Sequence, residues 1–478
     1  MSAVLTIARD EWRQWRRSRL AVAGLAVFAA LLVIVSVLTA LDVSEARHQR
    51  LHQQAEAEET FLGQPDRHPH RMVHYGHYVF RAPAPLASFD PGVDAVTGQS
   101  MFLEGHRQNS AMFADVRAEA RTGGFGALTP AKLYHLFLPL LLIALGHAAI
   151  VREREARTLG PLLSQGLGGT TLLLGKATAL AGLIGVLSLP ALVGALVGMA
   201  VGESALAAMT LYLAHLLYLS VWGAFILLVS VLVRSRGVAL GLCLFAWFAS
   251  SLVIPRIGVM TAAATLPMEG KIITDMRMKE DLRKLGDGHN AADPAFAALR
   301  ANLLAQYDVD TVEALPINFR GAVAQKSEKD LTDTLNAYAE RSMASETAQA
   351  DLVARFGWLS PYLAISTASR RIAGTDLETH HRFLREAEAV RYDFVQGLNK
   401  AHVEKLDYQA DINRNNGEDG NRRARISADN WQVLNDFRFA PDAAEARVAR
   451  AGGSLLALAL WLAALFGAAV IAARRLAP

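Results

Sequence analysis

The sequence predicts an all-α membrane protein: six transmembrane helices, an N-terminal interfacial helix, and a mainly helical extracytoplasmic domain built from two insertions. Three observations predict it. The 478 residues are 52% hydrophobic and 19% charged, whereas soluble domains are about a quarter charged. The apolar excess falls into six windows, 20–41, 133–151, 178–200, 209–233, 237–258 and 453–473, and the one charge inside them is Arg256, near a window's end. A helix needs about 17–25 such residues to cross a bilayer, and all six fit. Lysine and arginine, finally, gather on one side of the alternating spans. This pattern excludes a soluble enzyme, a secreted disulfide scaffold and a disordered chain. The net charge of +3 gives no argument for nucleic acid.

Residues 1–19 read as a cytoplasmic interfacial helix. Leu5, Ala8, Trp12 and Trp15 recur at helical spacing on one face, while Arg9, Arg13, Arg16 and Arg17 lie mostly off it. Tryptophan favours the membrane interface and arginine reaches lipid phosphate, so membrane lipids are an expected partner. The first span, 20–41, is too long for a signal-peptide core and lacks a small-x-small cleavage pattern, so it is expected as a retained anchor. Segments 1–19, 152–177, 234–236 and 474–478 carry thirteen Lys/Arg and four acids, whereas 201–208 carries no Lys or Arg. The positive-inside rule then places both termini of this multi-pass chain in the cytoplasm.

Two long segments, 42–132 and 259–452, become extracytoplasmic. The first opens as a polar helix over 44–60. It then passes through Pro65, Pro69, Pro83, Pro85 and Pro91 with a short strand at Tyr78-Val79-Phe80, and returns to helix near 110–121. The second reads as helices starting at Asp293-Pro294 and over 322–355 and 376–412, with a polar loop from Asn413 to Asn421. The apolar run Trp358 to Ile365 is too short to span and is expected either on the outer membrane surface or inside the outer domain. The single cysteine, Cys243, lies in a window, so the insertions fold without disulfides. They must lean on each other, the membrane or a partner.

Candidate chemistry is sparse. His68, His70, His74 and His77 form a cluster with metal-ligand spacing. Pro69 and Gly76 interrupt a helix there and no acid or thiolate lies within the cluster, so a structural or surface role is favoured over metal. Gly169 to Ala177 is one residue too long for a phosphate loop and has alanine where the magnesium-binding hydroxyl belongs. His147 and His215 sit inside windows, where polar groups are costly and either pair with a neighbouring helix or serve transport. The sharpest signal is the loop between the second and third spans. It holds Glu153, Arg154, Glu155 and Thr158, then Leu159, Leu162, Leu163 and Ser164, and closes with Gly175-Lys176.

This loop resembles the coupling segment of type 2 ATP-binding-cassette (ABC) exporter permeases, in which Glu-Arg-Glu-x-Gly-Thr-Leu is followed by Leu-Leu-Ser and later Gly-Lys. Arg157 replaces the family glycine, which bears on a tight backbone bend at that point. His74 to Phe80, Asp90-Pro91-Gly92 and Leu103 to Asn109 resemble a subgroup with large insertions after the first and fifth spans, known by a domain of unknown function. The resemblance implies a permease subunit of the bacterial cytoplasmic (inner) membrane that is not itself an enzyme, dimerised with a second permease chain, the same or related. Separate cytoplasmic ABC ATPase subunits would bind the ATP and magnesium, and this chain would bind no cofactor. Glu153, Arg154, Glu155, Thr158, Leu159, Leu162 and Leu163 would be its ATPase-coupling residues. An alternative is ATPase-driven mechanical coupling or signalling to an envelope partner without translocation. A membrane-bound hydrolase with its site in 259–452 is disfavoured by the missing catalytic motif.

Overall fold

The computed structural model describes residues 3–112, 128–434 and 436–476. Helix dominates, and six helices are long and apolar enough to cross a membrane. α1 is Ala3–Arg17. A break at Ser18, whose hydroxyl accepts from Ala21 N, starts α2, Arg19–Leu62. The first span and the polar helix expected after it are thus one unbroken rod, about 66 Å long at the usual rise. A short helix α3, Pro69–Tyr75, precedes the antiparallel pair β1, His77–Phe80, and β2, Ser100–Leu103, in which Tyr78 faces Phe102. Met112 bridges back to Ser100; the rest of the helix expected near 110–121 lies outside the described residues.

The second span, α4 over residues 130–146, holds a π-helical stretch at Leu133–Phe137. Two short helices follow, α5, Val151–Glu155, and α6, Leu159–Ser164. The third window, 178–200, proves to be two helices. α7, Gly169–Leu187, starts nine residues before the window, and α8, Leu189–Ala200, follows a break at Ser188. Pro190 causes the break: it lacks the N–H that would continue the ladder, and its ring crowds the preceding turn. Hydropathy alone misses the break because both pieces are apolar. α9, Ala205–Leu232, is the most enclosed span, and α10, Arg236–Thr265, carries a second π stretch at Ala249–Val253.

The second insertion contains α11, Lys271–Arg283, α12, Ala297–Tyr307, α13, Phe319–Arg355, α14, Pro361–Ala373, and α15, Leu377–Lys405. The helix expected to reach 412 stops at Lys405, and Asp407 caps a new short one, α16, Tyr408–Ile412. The polar stretch expected as a loop contains α17, Gly417–Arg423. α18, Ala444–Arg474, is the last span.

Among the described residues two large cores organise the chain, with a small third around Phe296, Leu315, Phe319 and Val323 in the second insertion. The spans share one, built around Tyr134, Leu142, Leu183, Tyr218, Ile226 and Leu458. Ala364, Ile365, Ala368 and Ile372 of α14 belong to this core. The second half of the run Trp358 to Ile365 is therefore buried against the spans rather than inside the insertion domain, whereas Trp358 and Leu359 are exposed. The run leads a helix wedged against α9 and α18. The other large core joins the two insertions, setting Phe61, Met72, Val79 and Leu103 against Phe383, Phe394, Leu398 and Trp431.

Candidate functional site

The segment joining α4 to α7 is a hairpin of two short helices on the face that carries both chain ends. Arg157 is its pivot. Its φ is 56°, in the left-handed region that costs an L-residue about 1–2 kcal/mol relative to the right-handed one. The bend that the glycine would make is therefore present with arginine in its place. Thr158 locks the turn: its backbone N–H and its hydroxyl donate to the Glu153 carbonyl at 2.9 and 3.1 Å, and the hydroxyl also reaches Glu153 Oε2 at 2.8 Å.

The charged residues are engaged within the chain. Glu153 accepts from Lys176 Nζ at 3.1 Å. Lys176 also pairs with Glu11 of α1, which takes a further bond from Arg152 at 2.9 Å. Glu11 and Lys176 are buried, so this small ion network fastens α1, α5 and α7 together, and leaving one member unpaired there would be costly. Arg154 donates to the carbonyls of Val231 (2.9 Å) and Val233 at the end of α9. These are carbonyls that a helix terminus leaves without an internal partner. Glu155 caps α10 by accepting from Arg236 N at 2.6 Å and from its guanidinium. Leu159 is buried in the span core, Leu163 packs against it, and Leu162 is half-buried. Arg157, Pro161, Ser164 and Gln165 are exposed. A side chain arriving from outside would meet this tip, while the acidic and basic residues set its position.

The sequence signalled the loop and its residues but not Glu11 as their partner. The bond to Lys176 spans 165 positions, and no local pattern announces it. α1 itself packs across α7 with Ala8, Glu11 and Trp15 buried, and the Trp15 indole donates to Leu145 O at 3.3 Å. Leu5, expected on the same face, is 48% exposed.

The four clustered histidines do not stay together. Pro69 does not interrupt a helix; it stands at the first position of α3, where its missing N–H is not needed. His77 is buried apart from the rest, beside Gln54 and edge-on to Phe61. His68 caps α3 and joins Asp411 at 3.1 Å, and His402 meets the same carboxylate at 2.7 Å. Asn318 and Arg414 also donate to it. Burial pushes the Asp411 carboxyl up, but the His402 and His68 bonds outweigh this and hold it far below the usual carboxylate range. With its oxygens so occupied and Arg320 at 3.8 Å, this group is a structural hub linking the insertions rather than a cation site. His70 and His74 instead converge with His106, which the sequence reading places in the Leu103–Asn109 motif but not among candidate ligands, and with His289, which it does not single out; the ligating atoms of the four lie within 4.8 Å of one another.

Inside the spans, His147 Nδ1 bonds its own helix at Ile143 O (2.9 Å). His215 meets His135 at 3.0 Å between stacked rings. His135, also within a predicted span, was not singled out from sequence, and Tyr218 donates to its carbonyl at 2.7 Å. The pairing gives both imidazoles the partner that burial demands.

No curated protein matches the chain. Residues 271–440, from the start of α11 to just before α18, match a protein family described as a domain of unknown function, DUF3526.

Proposed function

We propose that this chain is the membrane subunit of an ATP-driven exporter of the type 2 ABC class, with ATP and magnesium held by a separate ATPase. What carries the reading is the hairpin 151–167. Its charges tie it to α1, α7, α9 and α10, and its exposed tip is free for a partner. A push on such a tip moves the ends of several spans at once. In this proposal both termini and the hairpin face the cytoplasm of a bacterium, the insertions face outward, and a second permease chain completes the unit. Nucleotide shifts the spans to the extent that the ATPase dimer binds one of their arrangements better than the other.

A second reading, mechanical coupling to an envelope partner without translocation, is favoured by α2. One unbroken helix runs from the chain-end face into the core of the insertion domain, where Phe61 is buried. An envelope protein that copurifies and stimulates ATP turnover would favour this reading.

The test is pull-down of the copurifying ATPase at equal membrane levels of permease. Arg157→Glu with Gln165→Glu alters the tip, and Glu153→Lys with Glu155→Lys releases the hairpin from its anchors. Both pairs are expected to weaken association and lower the complex's ATP turnover. Undiminished association in both, with unchanged turnover, removes the hairpin from the mechanism.

A further inference from the structure

His70, His74, His106 and His289 come from three separate stretches of chain, and distinct local devices bring them together. α3 sets His70 and His74 one turn apart, so their rings share a face, with Nε2 to Nε2 at 3.2 Å. The turn after β2 delivers His106. Gly105 lies so close to α3 that a Cβ there would be 2.0 Å from the Val73 side chain, and its N–H donates to Val73 O at 3.0 Å. His106 itself is in the left-handed region, with φ 64°. Strain of that kind persists only where the surroundings enforce it. His289 arrives on the turn after α11. There Gly288 rests on α13, where a Cβ would be 2.3 Å from Ser327 Oγ.

The outer nitrogens of two of these rings are already held by carboxylates. His106 Nδ1 meets Glu328 Oε2 at 3.0 Å, and His289 Nδ1 meets Asp287 Oδ1 at 3.2 Å. Glu328 is fixed in turn by the buried Arg391, which also holds Glu388. Carboxylate–histidine pairs of this kind set ring orientation and tautomer around bound metals. They leave Nε2 of both rings for the centre of the group. His106 Nε2 is buried there without a hydrogen-bond partner. A buried polar atom without a partner is costly, and four imidazoles meeting nitrogen to nitrogen offer one another few donors.

We propose that His70, His74, His106 and His289 form a tetrahedral site for a late first-row divalent cation, zinc by geometry. Two nitrogens bound to one zinc at about 2.0–2.1 Å lie roughly 3.3 Å apart in a tetrahedron, and the His70–His74 separation of 3.2 Å already matches. Small side-chain adjustments bring in the other two. Calcium and magnesium are poor occupants because they require oxygen ligands. The ion ties α3 and the turn after β2, in the first insertion, to the turn after α11 in the second, and immobilises the turn carrying His289.

The test uses the full chain in detergent, purified through a tag without histidine, stripped with a chelator, reloaded with Zn²⁺ and dialysed. Metal content by mass spectrometry and thermal unfolding are read together, because an ion that binds the folded state raises the melting temperature. Expected is one zinc per chain, with a melting rise on loading. His74→Gln and His289→Gln change exposed side chains, so the stripped variants should melt like the stripped wild type while losing retained zinc. Asp287→Asn, acting through His289, should weaken binding by about 10–100-fold. Reloading with Co²⁺ should give the intense visible absorption of a tetrahedral ion. The proposal is overturned if the wild type retains no more zinc than the His74→Gln/His289→Gln double variant. A weak octahedral cobalt spectrum, or zinc retention lost only in His68→Gln, overturns it equally.

Discussion

At the scale of single residues, His77 shows what burial does to a titrating group. The residue opens β1 and is 3% exposed, its ring packed against Gln54 and Phe61 of α2. Desolvation lowers its pKa to about 4, with Glu58 pulling the other way. The unfolded chain takes up this proton near pH 6.5, so the stabilisation is fully present above that pH and is lost as pH falls toward 4. The amount at stake is on the order of 3 kcal/mol, at 1.36 kcal/mol per unit. Melting followed from pH 7 to pH 4 should therefore fall less steeply in His77→Gln than in the wild type. Parallel curves would show that the ring does not carry this dependence. What the sequence showed at this scale was the His70–His74 spacing and the charges of residues 153–155. It did not show their partners. Contacts such as His106 with Glu328, 222 positions apart for the backbone bond that accompanies it, arise from tertiary packing that leaves no local periodicity.

At the scale of elements, composition located six long apolar helices, because a membrane-crossing helix must be apolar along its length, but it set the third nine residues late and missed its break at Ser188. It failed too where one apolar stretch does two jobs. α14 is the instructive case. Its apolar start is short and its last turn carries Arg370 and Arg371, so it resembles neither a span nor an ordinary surface helix. Its seat depends on one side chain. Ser360 is fully buried and caps the helix by accepting from Leu363 N at 3.1 Å. The same hydroxyl donates to Ser250 O at 2.7 Å, inside the π stretch of α10. A π stretch disturbs the regular i→i−4 ladder, and Ser360 supplies a donor to one of its carbonyls. Ser360→Ala removes the cap and leaves the Ser250 carbonyl without that donor, a combined cost of about 2 kcal/mol. Ser345→Ala is the control, since Ser345 is exposed and bonds only its own helix at Arg341 O, 2.9 Å. Ser360→Ala should melt clearly below the wild type in detergent and Ser345→Ala alongside it; equal melting of the two variants would remove Ser360 from the anchor.

At the scale of the whole molecule, the insertions are one structure made from two distant pieces of chain. Without a disulfide, each must bury enough apolar surface to offset the entropy of ordering its backbone. The first cannot do so by itself. Phe61, Met72, Val73, Val79, Met101 and Leu103 are buried against the helices of the second insertion, and its two-stranded sheet is too small to stand alone. Its polar groups also look across the boundary. The Asp90 carbonyl accepts from Thr375 at 2.9 Å, Arg81 donates to Gly374 O at 3.3 Å, and the Trp431 indole donates to Gln64 O at 3.1 Å. The link continues into the membrane-facing half, where buried Arg447 of α18 pairs with Glu203 and donates to Ile372 O at 2.7 Å. Cut out of this setting, residues 42–132 would expose their apolar face and strand these partners. Expressed alone, the segment should show no cooperative melt and little dispersion of amide resonances. A cooperative transition with dispersed resonances would mean that it holds a core of its own, and that the shared one is docking between two finished domains.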